Sequence, residues 1–350
     1  MTQLSTRRAL LGFGAVMPLM AQKYLSSPRR ALTAPELLDA PDEWITRSFA
    51  WVEDMLARRP QYGFSGSRLS QPEEAVHRAA LIRLDDILHI ESAPTKPVIH
   101  EWYKRRMLGA ARKASSPPSG NRIIKLYDHG WHVQTAGSKF AIDLVGGAPR
   151  IAGFQMTEEA LDLFVAASDA LFISHFHSDH ADPAVARKFL AAGKPVVAPA
   201  DVFRQEPDLQ KQLTVPERST TKVAKFGQLS VIAYPGHQGK DVINNNYLIT
   251  TPEGLTLLHT GDQSNDEDFA WIDAIHRTHK VHVFLPNCWT PQPLRFVAGV
   301  KPSLNLPGHE NEMAHTVPHR EDWTQTFTRF EGAEGVMLPL CWGEEVRYQL

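Results

Sequence analysis

The sequence predicts an α/β fold in which outer helices cover β-sheets, preceded by a separate helical segment. From residue 121 onward, short apolar runs typical of strands alternate with stretches of helical periodicity. The segment before residue 121 shows helical spacing of its apolar residues. The chain has 350 residues, 43% hydrophobic and 22% charged, which is typical of a soluble globular protein with one large domain and a smaller part.

Residues 1–25 are predicted to be an export signal outside the fold. Arg7 and Arg8 precede an apolar stretch, residues 9–21, that is short for a membrane span but suits the apolar region of a signal peptide. The paired arginines resemble a twin-arginine signal. We therefore expect a periplasmic protein, with a cytoplasmic one as the alternative. If the N-terminus stays uncleaved, it would associate the protein with a membrane.

Residues 26–120 are predicted to form a helical segment and a linker. The predicted helices are residues 42–58, 71–90 and 98–113. A stretch rich in serine and proline, residues 114–120, follows them. The segment carries the aromatic residues Trp44, Trp51, Phe64 and Trp102. They would either pack the segment onto the main domain or shape a lid over a site, and we favour packing because aromatic stripes are usually core.

Residues 121–350 are predicted to form the main domain. Further helices are predicted at residues 157–167, 183–192, 265–277 and 320–330. Strands are predicted at residues 170–173, 195–197, 229–233, 246–249, 255–258, 281–285, 303–306 and 336–338. Thr157 is expected to cap its helix, since a side-chain hydroxyl can accept a hydrogen bond from the first helical turn.

The most informative motif lies directly after the predicted strand 170–173. It places four potential metal ligands in six residues, His175-Phe176-His177-Ser178-Asp179-His180. A strand followed by a tight loop can direct His175 and His177 at one ion while Asp179 and His180 face a second. Imidazole and carboxylate suit zinc, manganese or iron. A polar surface loop is the simpler interpretation, but chance rarely spaces four ligands in this way.

Three downstream residues complete the predicted ligand set, and each follows an extended run. His237 ends Tyr234-Pro235-Gly236-His237, Asp262 ends His259-Thr260-Gly261-Asp262, and His309 ends Leu306-Pro307-Gly308-His309. Strand ends hold side chains rigidly, as a metal site requires. Each sequence also suits an ordinary turn. His315 and His319 lie near His309, and either could replace it as a ligand or serve as a proton donor.

The H-x-H-x-D-H motif after a strand resembles the signature of the metallo-β-lactamase superfamily of metal-dependent hydrolases. The resemblance implies a four-layer αββα sandwich with a metal site at one edge of its two sheets, and leaves the helical segment as an N-terminal appendage. It also implies the division of ligands. The first ion would take His175, His177 and His237, the second Asp179, His180 and His309, and Asp262 would bridge them.

Some features indicate a branch of the superfamily. The motif continues as D-H-x-D through Asp182, similar to the branch containing L-ascorbate 6-phosphate lactonases and N-acyl-phosphatidylethanolamine phospholipases D. Residues 123–143 resemble the opening hairpin of that branch, and Asp143 matches a buried acid that orients a metal-bound histidine. Asp262, where lactam-hydrolysing members have Cys or Ser, disfavours antibiotic hydrolysis. His177, where the flavodiiron branch has an acid, disfavours oxygen or nitric oxide reduction.

The expected activity is hydrolysis of an ester, lactone or phosphodiester by a dinuclear site. Water shared by two cations loses its proton near neutral pH, so a bridging hydroxide would attack the substrate. The expected metals are zinc first, with manganese or iron as alternatives. The catalytic residues would be Asp179, His180, Asp262 and His315. The alternatives are a phospholipase D-like phosphodiesterase at a membrane surface and a non-catalytic metal-binding module.

The expected substrate is a small or lipid-like molecule. A net charge of −2 without a basic stripe argues against nucleic acid. Loops 239–245, 286–292 and 310–319 would line the pocket. Lys240, Arg295 and Lys301 could bind a phosphate. Polar contacts could come from Asn244, Asn245, Asn246, Asn287 and Trp289.

The sequence says less about the pairing of the cysteines and about the oligomeric state. Cys288 and Cys341 are expected to be buried thiols, although a disulfide would suit an oxidising compartment. The sequence does not define an oligomeric state.

Overall fold

A computed structural model of the chain describes residues 40–58, 63–64, 71–117, 120–148 and 150–350. The predicted export signal, the middle of the predicted linker and the side chain of Phe64 lie outside the described residues. Within these ranges, no helix combines the length and the apolar character needed to cross a bilayer.

The described residues form two seven-stranded sheets, and the first sheet includes one short strand from the segment predicted to be helical. The strands of the first sheet are β1 (Gly63–Phe64), β2 (Asn121–Lys125), β3 (Trp131–Gln134), β4 (Lys139–Ile142), β5 (Ala170–Phe172), β6 (Val196–Val197) and β14 (Glu345–Tyr348). The strands of the second sheet are β7 (Ala224–Phe226), β8 (Leu229–Gln238), β9 (Val242–Thr250), β10 (Thr256–His259), β11 (Val283–Leu285), β12 (Leu304–Asn305) and β13 (Val336–Met337).

The order of the strands brings several strand ends to one edge. The first sheet has the order β1-β14-β2-β3-β4-β5-β6, and the second β13-β12-β11-β10-β9-β8-β7. Strands β4, β5 and β6 are parallel, and so are β10, β11, β12 and β13. Because β2 and β4 are both antiparallel to β3, β2 runs in the same direction as β4 and β5. The loops after β2, β4 and β5 therefore leave the same edge of the first sheet.

Helices cover the outer faces of both sheets. They are α1 (Asp42–Ala57), α2 (Gln71–Leu88), α3 (Pro97–Ser115), α4 (Glu158–Ala166), α5 (Pro183–Ala191), α6 (Pro207–Gln210), α7 (Phe269–Ile272), α8 (Ile275–Thr278), α9 (Pro293–Val300) and α10 (Trp323–Arg329). Thr157 accepts a hydrogen bond from Ala160 N and caps α4 as predicted. Asp182 caps α5, so this acid of the D-H-x-D motif begins a helix.

Three hydrophobic clusters separate four layers. One lies between the first sheet and helices α1 to α5, the second between the two sheets, and the third between the second sheet and helices α7 to α9. Successive side chains of β8 point to opposite faces of the second sheet, so this strand contributes to two clusters. Val231 and Ala233 face the other sheet, whereas Ile232 and Tyr234 face the outer helices. The predicted four-layer αββα order is therefore confirmed.

The N-terminal helices share the core of the main domain. Trp102 is fully buried, stacks on Phe49 with ring centroids 4.5 Å apart, and contacts Trp342 near the other end of the chain. Its indole Nε1 donates to Glu53 at 2.8 Å. These contacts support the interpretation of the aromatic residues as packing. Both cysteines are buried free thiols, also as expected.

Some predicted elements were wrong in extent. The region 265–277, predicted to be one helix, forms three short helical turns. The buried side chain of Asp268 accepts a hydrogen bond from Gln263, and this contact interrupts a continuous helix. The predicted loop 239–245 is mostly strand, since the β-branched Val242 and Ile243 pair with β8 and Gly239, at φ +58°, allows a tight turn. The sequence analysis missed α9, which begins at a proline in its first turn.

Candidate metal centre

A tight turn after β5 presents the ligands of the motif. The strand continues in effect to Ile173, whose N–H donates to Val197 O, and the chain then turns back. The amides of His180 and Ala181 both donate to His177 O, at 3.0 and 2.8 Å. This single turn brings His177, Asp179 and His180 together with His175, and α5 begins directly after it.

The first donor group consists of His175, His177 and Asp262, whose ligand atoms all lie within 4.8 Å of one another. His175 Nε2 is 3.6 Å from Asp262 Oδ2. Asp262 comes from the loop after β10, so this group joins the edges of both sheets. Burial lowers the pKa of His175 to about 3, which keeps its imidazole neutral and able to bind a metal at neutral pH.

The second donor group contains Asp179, His180 and His309, again with ligand atoms within 4.8 Å. The Nε2 atom of His180 lies 3.2 Å from Asp179 Oδ2 and 3.3 Å from Asp262 Oδ1. The Nε2 atom of His309 lies 3.5 Å from the same two oxygens. Asp262 therefore directs Oδ2 at the first group and Oδ1 at the second, the orientation expected of a bridging ligand.

The donor atoms fit metal ions. His175 Nε2, His180 Nε2 and Asp262 Oδ1 are buried and have no hydrogen-bond partner among the residues that the structure describes. Buried polar atoms without a partner are rare and costly in folded proteins. Divalent cations would satisfy all three, and a set of imidazoles and carboxylates suits zinc, iron or manganese.

The charges of the two groups depend strongly on each other. Burial opposes protonation of His180, but Asp262, Asp179 and Asp143 raise its pKa well above the ordinary value. Burial likewise opposes ionisation of Asp262, yet His180 and His309 hold its pKa well below the ordinary value. Protons and metal ions would therefore compete for this cluster.

A further layer of hydrogen bonds orients the ligands. The Nδ1 atom of His180 lies 2.7 Å from Asp143 Oδ2, so the predicted contact of Asp143 with a ligand histidine is confirmed. Ser174 donates to the same carboxylate from its N–H at 2.7 Å and its hydroxyl at 2.6 Å. Such contacts fix the tautomer and direction of an imidazole.

The structure places His237 apart from the two groups. Its half-buried side chain has Nδ1 at 3.1 Å from Asp268 Oδ2, which leaves Nε2 as the atom available for a metal. It does not belong to any group of donor atoms within 4.8 Å found among the described residues. The neighbouring Gln238 instead donates its amide to Asp262 Oδ2 at 3.1 Å.

His315 lies in the wall of the site. Its Nε2 is 2.7 Å from Glu312 Oε2, and its ring centroid is 6.3 Å from that of His309. The nearby carboxylates of Glu312 and Glu321 raise the pKa of His315 to about 10, so it is a cation at neutral pH.

A cavity of about 650 Å³ opens over the donor groups. Four residues of the donor groups line it, namely His177, Asp179, Asp262 and His309, and so do His315, His319, Trp289 and Arg150. Lys240, Arg295 and Lys301, the cations considered from the sequence, do not line it, and Arg295 instead forms an ion pair with Asp273. Arg150 was missed because it follows no motif and is brought here only by the fold.

The four asparagines that the sequence suggested as substrate contacts lie elsewhere in the structure. Asn244, Asn245, Asn246 and Asn287 are fully buried. Asn244 Oδ1 accepts a hydrogen bond from Asp262 N at 3.0 Å, and Asn287 Nδ2 donates to Gly261 O at 3.3 Å. Asn244 and Asn287 therefore hold the loop of Asp262 from behind, and none of the four asparagines lines the cavity.

One buried acid near the second group was also missed. Asp128 joins Asp179, His180 and His309 within the same 4.8 Å limit, in the loop after β2. The signal available in the sequence was its position in the opening hairpin, where β2 runs parallel to β4 and β5.

Comparisons with known proteins show a similarity of fold. No protein-family model and no curated protein matches the sequence. Igni18, a metallo hydrolase from the archaeon Ignicoccus hospitalis KIN4/I, is 21% identical with a TM-score of 0.51, over 65% of this chain and 98% of that one. A possible metal-dependent hydrolase from Veillonella parvula DSM 2008 is 14% identical with a TM-score of 0.50, over 65% and 99%. With its two stacked sheets, outer helices and donor cluster at the sheet edge, the chain has the metallo-β-lactamase fold.

Proposed function

We propose that the protein is a metal-dependent hydrolase that binds two divalent cations, zinc first, with manganese or iron as alternatives. The observation that carries the proposal is Asp262, which directs one oxygen at each of two buried donor groups on the floor of an open cavity. When bound, such cations polarise the bond under attack and lower the pKa of water to about 7. The two similar structures are described as hydrolases, in keeping with this proposal.

The chain's own residues supply positioning and protons. Asp262 would bind both cations, and Asp179 and His180 would be further ligands of the second one. His315 carries a proton at neutral pH and lines the same cavity, so it can donate that proton to a leaving oxygen. Water is excluded from the rear of the site, because Asp143 and Ser174 are fully buried behind the ligands.

The proposed substrate is an ester, lactone or phosphodiester with a negatively charged group. Arg150 lines the cavity with its side chain exposed, whereas the charge of His315 is offset by Glu312 and Glu321, which line the same wall. Arginine binds carboxylates and phosphates through paired hydrogen bonds. Charge on this side of the cavity would orient an anionic substrate with its reactive bond over the donor groups.

The second candidate is a phosphodiesterase of the phospholipase D type. A neighbouring cavity of about 590 Å³ shares Arg150, His315 and Thr316 with the first. Its lining includes the apolar residues Pro94, Ile151, Met313, Val317 and Pro318. This arrangement favours a substrate with an apolar chain beside its polar group, as in a lipid.

Metal analysis combined with turnover tests the proposal. Wild-type protein should contain two transition-metal ions per chain and hydrolyse either a lactone or bis-p-nitrophenyl phosphate. His175→Ala should lose metal and activity together, whereas His279→Gln, which changes a histidine outside the cluster, should keep both. Protein that binds no metal and turns over neither substrate would contradict the proposal and favour a binding module.

Substitution of Arg150 tests whether the protein recognises an anionic substrate. Arg150→Gln should raise KM for an anionic substrate by about tenfold or more, since a charge-assisted hydrogen bond contributes about 1.5–3 kcal/mol. KM for a neutral ester should stay unchanged. Arg295→Gln, which removes an exposed arginine paired with Asp273, is the matched control. Equal KM changes for charged and neutral substrates would argue against recognition by Arg150.

A further inference from the structure

We propose that Asp128 is a further ligand of the second metal position, a role that rests on the proposed metal centre. Its carboxylate lies within the second donor group. Asp128 Oδ1 is 3.4 Å from His309 Nδ1, and Oδ2 is 3.6 Å from His180 Nε2. One ligand atom from each of Asp128, Asp179, His180 and His309 lies within 4.8 Å of all the others.

The side chain of Asp128 is buried without a hydrogen-bond partner. The residue is fully inaccessible, and neither carboxylate oxygen accepts a hydrogen bond from any residue that the structure describes. A buried carboxylate without a partner is one of the costliest groups that a fold can contain. A cation between Asp128, His180 and His309 would remove this cost, because it would satisfy the carboxylate and the imidazoles together.

The backbone at Asp128 holds the carboxylate in place. Its φ of +54° lies in the left-handed region, which glycine, asparagine and aspartate adopt more readily than other residues. The carbonyl of Asp128 accepts hydrogen bonds from the buried Lys125 ammonium and from His309 N, the latter at 3.1 Å. The turn is therefore tied to the loop of His309, and the backbone itself gives no reason for an aspartate over asparagine or glycine.

This ligand makes the two metal positions different. The second position would have the carboxylates of Asp128, Asp179 and Asp262 and the imidazoles of His180 and His309. The first group, His175, His177 and Asp262, has two imidazoles and one carboxylate. Because carboxylate oxygens suit manganese and iron better than zinc, Asp128 should shift the preference of the second position toward those metals.

Asp128 could instead only orient His309, as an acceptor for its Nδ1–H. The substitution Asp128→Asn separates the two roles. Asparagine keeps an oxygen that can accept from Nδ1–H and tolerates the left-handed backbone, but it removes the negative charge that a metal ligand supplies. An orienting role predicts little change in metal preference, whereas a ligand role predicts loss of the preference for manganese and iron.

The experiment compares wild-type and Asp128→Asn holoprotein loaded with Co²⁺ and, separately, with mixtures of Mn²⁺ and Zn²⁺. We expect the substitution to strengthen the visible absorption of Co²⁺ at the second position, as coordination number falls. We also expect the Mn²⁺:Zn²⁺ ratio to fall about tenfold, and at least one ion to remain bound. Asp273→Asn, which changes an exposed carboxylate paired with Arg295, is the matched control and should leave the spectrum and the metal ratio unchanged.

The outcomes distinguish this inference from the proposed function. Wild-type protein with two ions, together with an unchanged spectrum and metal ratio in Asp128→Asn, would overturn the role of Asp128 alone. Wild-type protein that never binds a second ion would overturn both.

Asp128→Gly checks folding, since glycine relieves the backbone conformation. Metal-free Asp128→Gly should unfold at a temperature no lower than metal-free wild type, while losing the same metal preference.

Discussion

At the scale of single residues, the site repeats one arrangement. Three histidines have Nδ1 directed at a carboxylate, namely His180 at Asp143, His237 at Asp268 and His309 at Asp128. Only the first two distances, 2.7 and 3.1 Å, fit hydrogen bonds. In both of these the carboxylate leaves Nε2 as the free nitrogen, which is the condition for directing an imidazole at a metal.

The substitution Asp143→Asn tests this orientation. It should weaken binding of the second metal ion by about 10–100-fold, because outer carboxylates fix the tautomer of a ligand histidine. A competition titration against a chelator measures the effect. Asp273→Asn, on the exposed surface, should leave the affinity unchanged. Equal affinities for Asp143→Asn and wild type would show that Asp143 only supports the packing of the loop.

His315 gives a prediction for pH. Its pKa is raised from 6.5 to about 10, so its proton is held throughout the neutral range and is lost as pH rises through about 10. If this proton reaches the leaving oxygen, kcat should fall above that pH. His315→Gln should remove the alkaline decline and lower kcat by about 10²–10⁴-fold. A measured pH profile that keeps its alkaline limb in His315→Gln would exclude His315 as the donor.

At the scale of elements, helix α2 supports the loop that carries His309 and His315. Asp85, near the end of α2, is buried and accepts hydrogen bonds from Asn311 Nδ2 at 3.1 Å and from the amides of Trp323 and Thr324. Asn311 has φ +61°, a left-handed conformation that asparagine tolerates. The helical appendage thus supports the loop that follows His309 of the candidate metal centre.

Removal of the Asp85 carboxylate tests that role. Asp85→Ala should lower the free energy of unfolding by about 1–3 kcal/mol, because it leaves buried donors without their acceptor. It should also weaken the second metal position, since His309 begins the same loop. Chemical denaturation and metal titration measure the two effects. Asp86→Ala, a neighbouring exposed acid that pairs with Arg83, is the control and should change neither by much.

The same elements show what sequence can and cannot predict. His175, His177, Asp179 and His180 are local in sequence, so the motif and its strand sufficed to predict that they converge. Asp128 and Arg150 were not predicted. Only the strand order and the path of a loop bring them close to the motif in space, and neither can be inferred from the sequence. Likewise, 265–277 has helical periodicity, but the buried partners of Asp268 divide it into short turns.

At the scale of the whole molecule, the donor groups connect the two sheets. His175 to His180 follow β5 of the first sheet, whereas Asp262 and His309 follow β10 and β12 of the second. The sheets also contact each other through an apolar cluster that includes Val133, Phe172 and Leu257, and through hydrogen bonds such as the one from Asn245 N to Ser174 O. Bound cations would therefore join the two halves of the sandwich at one edge, in addition to the hydrophobic contact between them.

Metal removal should consequently lower global stability and not only activity. A ligand that binds only the folded state stabilises it by about 2.7 kcal/mol for each site at a free concentration 100 times its Kd. Chelation should thus lower the unfolding temperature measured by calorimetry, and added Zn²⁺ or Mn²⁺ should restore it. Asp262→Asn, which changes the residue shared by both groups, should show a much smaller response to the chelator. A wild-type unfolding temperature that chelation leaves unchanged would mean that the sheets are held together without the ions, and that the donor cluster is paired in some other way.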